Sequence, residues 1–303
     1  MTTVPSIELR RLLARRLVRL VAALAVLGIV IASIVVAAKS QREDPGQLRA
    51  TAEARRALAV QRCKAGELSV PPQAIPPGET LDQFCEQQIA LPFHDPRFHL
   101  TTLSDVFAGT TVPLVLMGWL LAASFIGADW HAGTMTTQLT WEPRRVRLLL
   151  VKVAVCITVA FLATVAFQAL LGLGLSAAAA LRGTTEGIDR AWLLRTLGVL
   201  LRGAALAGAA AAIGFSLASV ARNTAAALGV GFGYLLILEN LIGALRPGWR
   251  SWFLAPNAVV LVDGRVHPEI IPRTVIEAAV VIALYGVGTV LIATTLFARR
   301  DVT

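Results

Sequence analysis

Leu20-Val-Ala-Ala-Leu-Ala-Val-Leu-Gly-Ile-Val-Ile-Ala-Ser-Ile-Val-Val-Ala-Ala38 is an apolar run without a single charge. A helix needs about 20 such residues, at ~1.5 Å each, to cross the hydrocarbon core of a bilayer. Arg15, Arg16 and Arg19 stand before it, as before a secretory signal. The run is longer than a signal core and no small-x-small cleavage site follows, so it reads as an anchor. Working outward from this first span (19–38), five more runs of the same kind occur near 106–126, 150–178, 197–219, 224–245 and 275–297. The predicted fold is an all-α integral membrane protein with six transmembrane helices, a single domain over 1–303.

Composition points the same way. Of 303 residues, 56% are hydrophobic and 16% charged, and the mean hydropathy is +0.68, too apolar for an ordinary soluble domain. The net charge of +9 does not suggest nucleic acid, because the basic residues cluster between apolar runs instead of lining one polar face. The anionic surface of the lipid bilayer is the partner they suit.

Orientation follows from arginine and lysine in the short flanks. Arg10, Arg11, Arg15, Arg16 and Arg19 precede span 1; Arg144, Arg145, Arg147 and Lys152 follow span 2; Arg222 lies between spans 4 and 5, and Arg299 and Arg300 end the chain. These segments are expected on the cytoplasmic side, which puts both termini there. Leu9, Leu12, Leu13, Leu17 and Leu20 share one helical face and Arg11, Arg15 and Arg19 another, so residues 1–18 are expected to form an amphipathic interface helix.

The large loop 39–105 then falls outside. Its Pro71-Pro72 and Pro76-Pro77 pairs disfavour continuous helix, leaving one helical stretch near 45–60 and an irregular remainder. Cys63 and Cys85 lie in this loop, and both a bridged and a free pair are compatible with the sequence. His94, Asp95 and His99 lack a third ligand at metal-binding spacing and read as a solvated loop.

The segment 127–149 is too structured for a bare linker. Gly133 can end one helix and Thr134 begin a short one, which Glu142-Pro143 stops. Gly127-Ala-Asp-Trp-x-Ala-Gly-Thr134, Leu139-Thr-Trp-Glu-Pro-Arg-Arg145 and Lys152 together resemble the intracellular coupling region of permease subunits of type-2 ABC transporters. Asp95-Pro-Arg-Phe98, Trp252-Phe-Leu-Ala-Pro-Asn257 and Phe297-Ala-Arg-Arg-Asp301 agree with that family. The resemblance implies six spans with cytoplasmic termini in a bacterial plasma (inner) membrane and pairing with a second permease copy or homologue. It also implies two separate ATPase subunits, which would hold ATP and Mg, and it favours export. A re-entrant segment over 246–274 is implied as well, in keeping with Trp249, Trp252 and four prolines among apolar residues. The coupling contacts to the ATPase are expected at Trp130, Gly133, Thr134, Trp141, Glu142, Pro143 and Arg144. The substrate stays unknown.

No phosphate-binding loop, His-Glu-x-x-His zinc signature or Gly-x-Ser-x-Gly elbow occurs, so no catalytic residue, cofactor or metal is expected in this chain. Gly229, Gly231 and Gly233, and Gly203, Ala207, Ala210 and Gly214, sit inside apolar runs at spacings that suit close helix packing. Arg202 and Glu239 are ionisable residues within spans. Counted from the turn at Arg222-Asn223, they lie within roughly 5 Å of the same height at ~1.5 Å per residue, which would permit an ion pair, with Glu277 nearby. Two other functions use these features differently: an ATP-independent ion-coupled carrier running through Arg202, Glu239 and Glu277, and a non-transporting assembly or sensor protein built around loop 39–105.

Overall fold

The computed structural model describes residues 3–40, 45–67, 80–88, 97–142 and 144–299. Among these every regular element is helical: α1 Thr3–Leu13, α2 Arg16–Lys39, α3 Pro45–Lys64, α4 Leu81–Gln88, α5 Leu103–His131, α6 Thr134–Trp141, α7 Arg145–Arg182, α8 Arg190–Ala221, α9 Thr224–Gly233, α10 Glu239–Leu245, α11 Leu254–Asp263 and α12 Val275–Arg299. Six runs are long and apolar enough to cross a membrane: Arg16–Lys39, Leu100–His131, Arg145–Arg182, Arg190–Ala221, Thr224–Leu245 and Val275–Arg299. The fifth is α9 and α10 joined by a π-helical turn, Tyr234–Leu238. Asn240 Nδ2 donates to Leu236 O at 3.0 Å there, a side-chain to backbone bond at the end of the widened turn.

The chain divides into two compact units, Met1–Ser33 with Thr101–Leu175 and Gly187–Thr303, and Ile34–Leu100 with Ser176–Glu186. The second holds α3 and α4, a helix pair closed by a disulfide between Cys63 and Cys85, whose Cα atoms are 5.9 Å apart. Lys64 pairs with Glu86 beside it. The sequence places one helix in this region, yet Thr80 and Gln83 start a second: Gln83 N donates to Thr80 Oγ1 at 3.4 Å and Thr80 N to Gln83 Oε1 at 3.1 Å, a capping box. Ser40 Oγ donates to Arg182 O at 2.6 Å and accepts from Phe98 N at 3.0 Å, fixing the base of the unit. His94 and Asp95 and the Pro-Pro pairs lie outside the described residues.

In the first unit α8 is central, packing on α5, α9, α11 and α12. It can do so because glycine and alanine make up much of its buried face, with Gly203, Ala204, Ala207, Ala211 and Gly214 buried. Lipid tails are as apolar as leucine, so close backbone approach and van der Waals contact, not expulsion of water, hold such helices together. Trp119 of α5 fills the space that two glycines leave, its ring lying against Gly214 of α8 and Gly231 of α9. Gly203 receives Thr111 in the same way. Gly229 and Gly233 meet nothing within 4 Å, so of the α9 glycines only Gly231 serves packing.

Two expectations are corrected. The amphipathic N-terminal helix does not run through residue 18. It ends at Leu13, and Ala14 and Arg15 separate it from α2, so Leu17, Arg19 and Leu20 belong to the first span. Arg202 and Glu239 do not pair. Phe253, the residue before α11, has no side-chain oxygen with which to cap that helix. Glu239 caps it instead, Oε1 accepting from Leu254 N at 2.6 Å and Oε2 from Ala255 N at 3.1 Å. Arg202 turns to the other end of α11, its guanidinium packed against Gly264. Equal height along two helices leaves their rotation free, and the rotation sends the two side chains to opposite ends of one short helix. Glu277 caps its own helix by exchange with Thr274, accepting from Thr274 N at 2.8 Å.

Candidate functional site

The most heavily charged buried point of the first unit lies where α1, α5 and α7 meet. Lys152, about two turns into α7, is completely buried. Its ammonium lies 2.7 Å from Asp129 Oδ2 near the end of α5 and 2.9 Å from Glu8 Oε2 in α1, and both carboxylates are themselves buried. Arg15, in the break between α1 and α2, reaches Asp129 Oδ1 at 3.1 Å and donates to Ser124 O at 3.0 Å. Arg11 closes the group on Glu8 at 3.2 Å. The ring of Phe125 lies between the two inner cations, 4.6 Å from the Arg15 guanidinium carbon and 4.9 Å from Lys152 Nζ.

The placement follows from local sequence. Glu8 and Arg11 are three apart and so share a face of α1, and Leu12, one residue on, is buried in the main apolar core. The break at Ala14-Arg15 lets Arg15 fold back on α5. Two carboxylates against one lysine and one arginine balance, with Arg11 the partly exposed extra cation. Burying such a group costs desolvation that only good geometry offsets, so its main effect is to specify one arrangement of α1 on α5 and α7. Sequence reasoning counted Arg15 and Lys152 as topology signals, placed Asp129 and Lys152 within the coupling segment without pairing them, and passed over Glu8. A signal existed: Glu8 is the one acid before span 1, and Lys152 the one charge in Leu148-Leu-Leu-Val-Lys-Val.

Asp129 also begins the turn that leads into α6. Thr134 Oγ1 donates to Asp129 O at 3.2 Å, and Gly133, with φ +64°, supplies the left-handed residue between α5 and α6. α6 is anchored by buried Met135 and half-buried Leu139, and leaves Thr136, Thr137 and Thr140 exposed. Beside it Trp130 packs edge-on to Phe297 of α12, centroids 5.9 Å apart, and lies under the guanidinium of Arg222 at 4.6 Å. Gly127 gives way to Thr224, the first residue of α9.

One end of the bundle therefore gathers α1, the α5–α6–α7 connection, the α8–α9 turn and the end of α12. Of the residues singled out from the sequence, Trp130, Gly133 and Thr134 belong to this junction. Glu142 forms an ion pair with Arg147 at 3.4 Å, and Arg144 is exposed. Pro143 and the side chain of Trp141 lie outside the described residues. No group of three or more metal-binding side chains occurs among the described residues.

Six apolar spans, the glycine- and alanine-rich α8 among them, define a multi-pass α-helical membrane protein. Comparison with profiles of known protein families and with characterised proteins finds none that matches the chain.

Proposed function

We propose that this chain is the membrane-spanning permease subunit of an ABC transporter of the type-2 class, working as an exporter and driven by ATP hydrolysis in separate cytoplasmic ATPase subunits. The observation that carries the proposal is α6. It is a short helix set between the ends of two spans, with a hydroxyl-rich exposed face, and the buried Lys152–Asp129–Glu8 group stands behind it. A push on α6 from a partner would reach α5 through Gly133 and Asp129, and α1 and α7 through Lys152. Charged groups with fixed partners transmit such a movement only if the partner contacts α6 differently in its two nucleotide states.

This function assigns the junction end of the bundle to the cytoplasm, in agreement with its arginines, and requires a second permease copy to complete the transporter. The ion-coupled carrier has less support, since Arg202, Glu239 and Glu277 do not form a connected path: each is engaged at a different helix end. The test is cross-linking from Thr137→Cys, an exposed position on α6, in native membranes. The expected product joins this chain to a cytoplasmic ATPase and changes in yield with ATP. A Thr137→Cys chain that never cross-links to an ATPase, while remaining reactive to a soluble maleimide, would refute the proposal.

A further inference from the structure

The first unit contains an elongated cavity of about 460 Å³ bounded by α5, α8, α11 and the π-turn before α10. Along α5 it runs from Ala108 to Trp119, about 16 Å at ~1.5 Å per residue. Small residues make the room, notably Gly109, Ala209 and Ala258. Its volume is within the ~300–1,000 Å³ usual for small-ligand sites.

The distribution of polarity along it is one-sided. Among the described residues Asp263, the last residue of α11, is the one ionisable residue in its wall. His267 Nε2 lies 2.9 Å from Asp263 Oδ2, and the Arg202 guanidinium rests on neighbouring Gly264, so that end carries charges of both signs. Arg202 Nε is buried with no hydrogen-bond partner among the described residues. From there inward the wall is apolar except for Thr111, whose hydroxyl is already engaged with Phe107 O and Gln168 Nε2. At the far end, near the middle of α5, stands Trp119, 7% exposed, with its indole N–H unpartnered among the described residues. The charged rim lies toward the start of α5, and the Lys152 junction lies at its other end.

A slot that is charged at one membrane interface and apolar to mid-membrane has the polarity profile of one leaflet. We propose that it binds a long-chain amphiphile, the chain lying along α5 toward Trp119 and a zwitterionic head meeting Asp263, His267 and Arg202. As a substrate class this rests on the permease function proposed above; as a binding site it does not need an ATPase, so the two can fail separately.

The same chain chemistry can come from a free single-chain amphiphile or from a bilayer phospholipid. The test is quenching of Trp119 fluorescence, obtained as wild type minus Trp119→Phe, in lipid nanodiscs. In one arm a bromoalkyl phosphocholine is added to unbrominated discs; in the other the discs are made of brominated phosphatidylcholine. Saturable quenching in the first arm, lost in Ala209→Leu/Ala258→Leu, is expected for a free amphiphile. Quenching in the second arm alone, again lost on filling the slot, assigns the chain to bilayer lipid. Quenching that is unsaturable in the first arm and unaffected by the double leucine variant in both would overturn the site. Should Trp119→Phe not fold, an alkyl phosphocholine bearing a chain-end diazirine replaces the difference measurement. Labelling within 108–119 or 254–263 that competes with unlabelled amphiphile supports the slot, and labelling spread over all six spans without competition refutes it.

Discussion

Lys152 and Glu8, 144 residues apart in sequence, meet at 2.9 Å with the lysine wholly buried, and Asp129 closes the other side of the same ammonium at 2.7 Å. A short N-terminal helix that could have floated at the membrane surface is thereby fixed to two spans. Lys152→Met would leave two buried carboxylates facing each other. Breaking a buried pair from one side costs about 3–5 kcal/mol, so a large drop in the thermal midpoint is expected. Glu8→Gln/Asp129→Asn/Lys152→Met should recover part of it, because no buried carboxylate is left unpaired and the cations that lose their partners, Arg11 and Arg15, are partly exposed. Equal losses in the single and triple variants would show that the lysine acts through packing alone.

Glu239 caps α11, and removing the carboxylate exposes two N–H donors with nothing to replace it. Glu239→Ala is expected to cost about 1–3 kcal/mol, the usual penalty of an unmet buried donor. Combined with Arg202→Met, the effects should add to within about 0.5 kcal/mol, because the two residues share no partner. A coupling energy well above that in a double-mutant cycle would restore the ion pair that the sequence suggests.

The disulfide closes a loop with a sequence separation of 22 residues. Chain entropy puts its contribution at about 3 kcal/mol. Cys63→Ser/Cys85→Ser should make the α3–α4 region readily cleaved by trypsin, and no change in cleavage would contradict a structural role for the bridge.

His267 has a pH signature. Hydrogen bonding to Glu269, at 2.9 Å, and the charge of Asp263 raise its pKa above the ordinary 6.5, while backbone hydrogen bonding and His267 itself lower that of Glu269. The tether it forms is fully present below the ordinary imidazole value and is lost as pH rises through the raised one. Its acid limit comes from Glu269, whose contribution holds above the ordinary carboxylate value and fades as pH falls through the lowered one. Hydrogen exchange of 264–271 should therefore accelerate, beyond the intrinsic base-catalysed rise, on the alkaline side of that range. His267→Gln should abolish this extra step; if it persists, the tether is not the cause.

The six spans were legible because a run such as Leu20–Ala38 admits no other state: length and the absence of charge suffice. The α5–α6 turn was legible at Gly133, where a left-handed backbone demands glycine. The charge junction was not, since nothing local joins Glu8 to Lys152. Nor was the partner of Glu239, because helix rotation, which residue counting cannot supply, decides where a side chain points. The break after Leu13 was hidden for a related reason: the leucine and arginine faces continue through it in register, and only the turn of Arg15 onto Asp129 reveals it.

The most direct measurement is gentle-detergent purification of the chain from its native membrane, with ATPase activity assayed for wild type and Gly133→Trp. The expected result is a co-purifying ATPase whose activity is lost or uncoupled in the variant, where a bulky residue must adopt the left-handed conformation at the head of α6. A chain that purifies alone and without ATPase activity in several detergents would contradict the permease function.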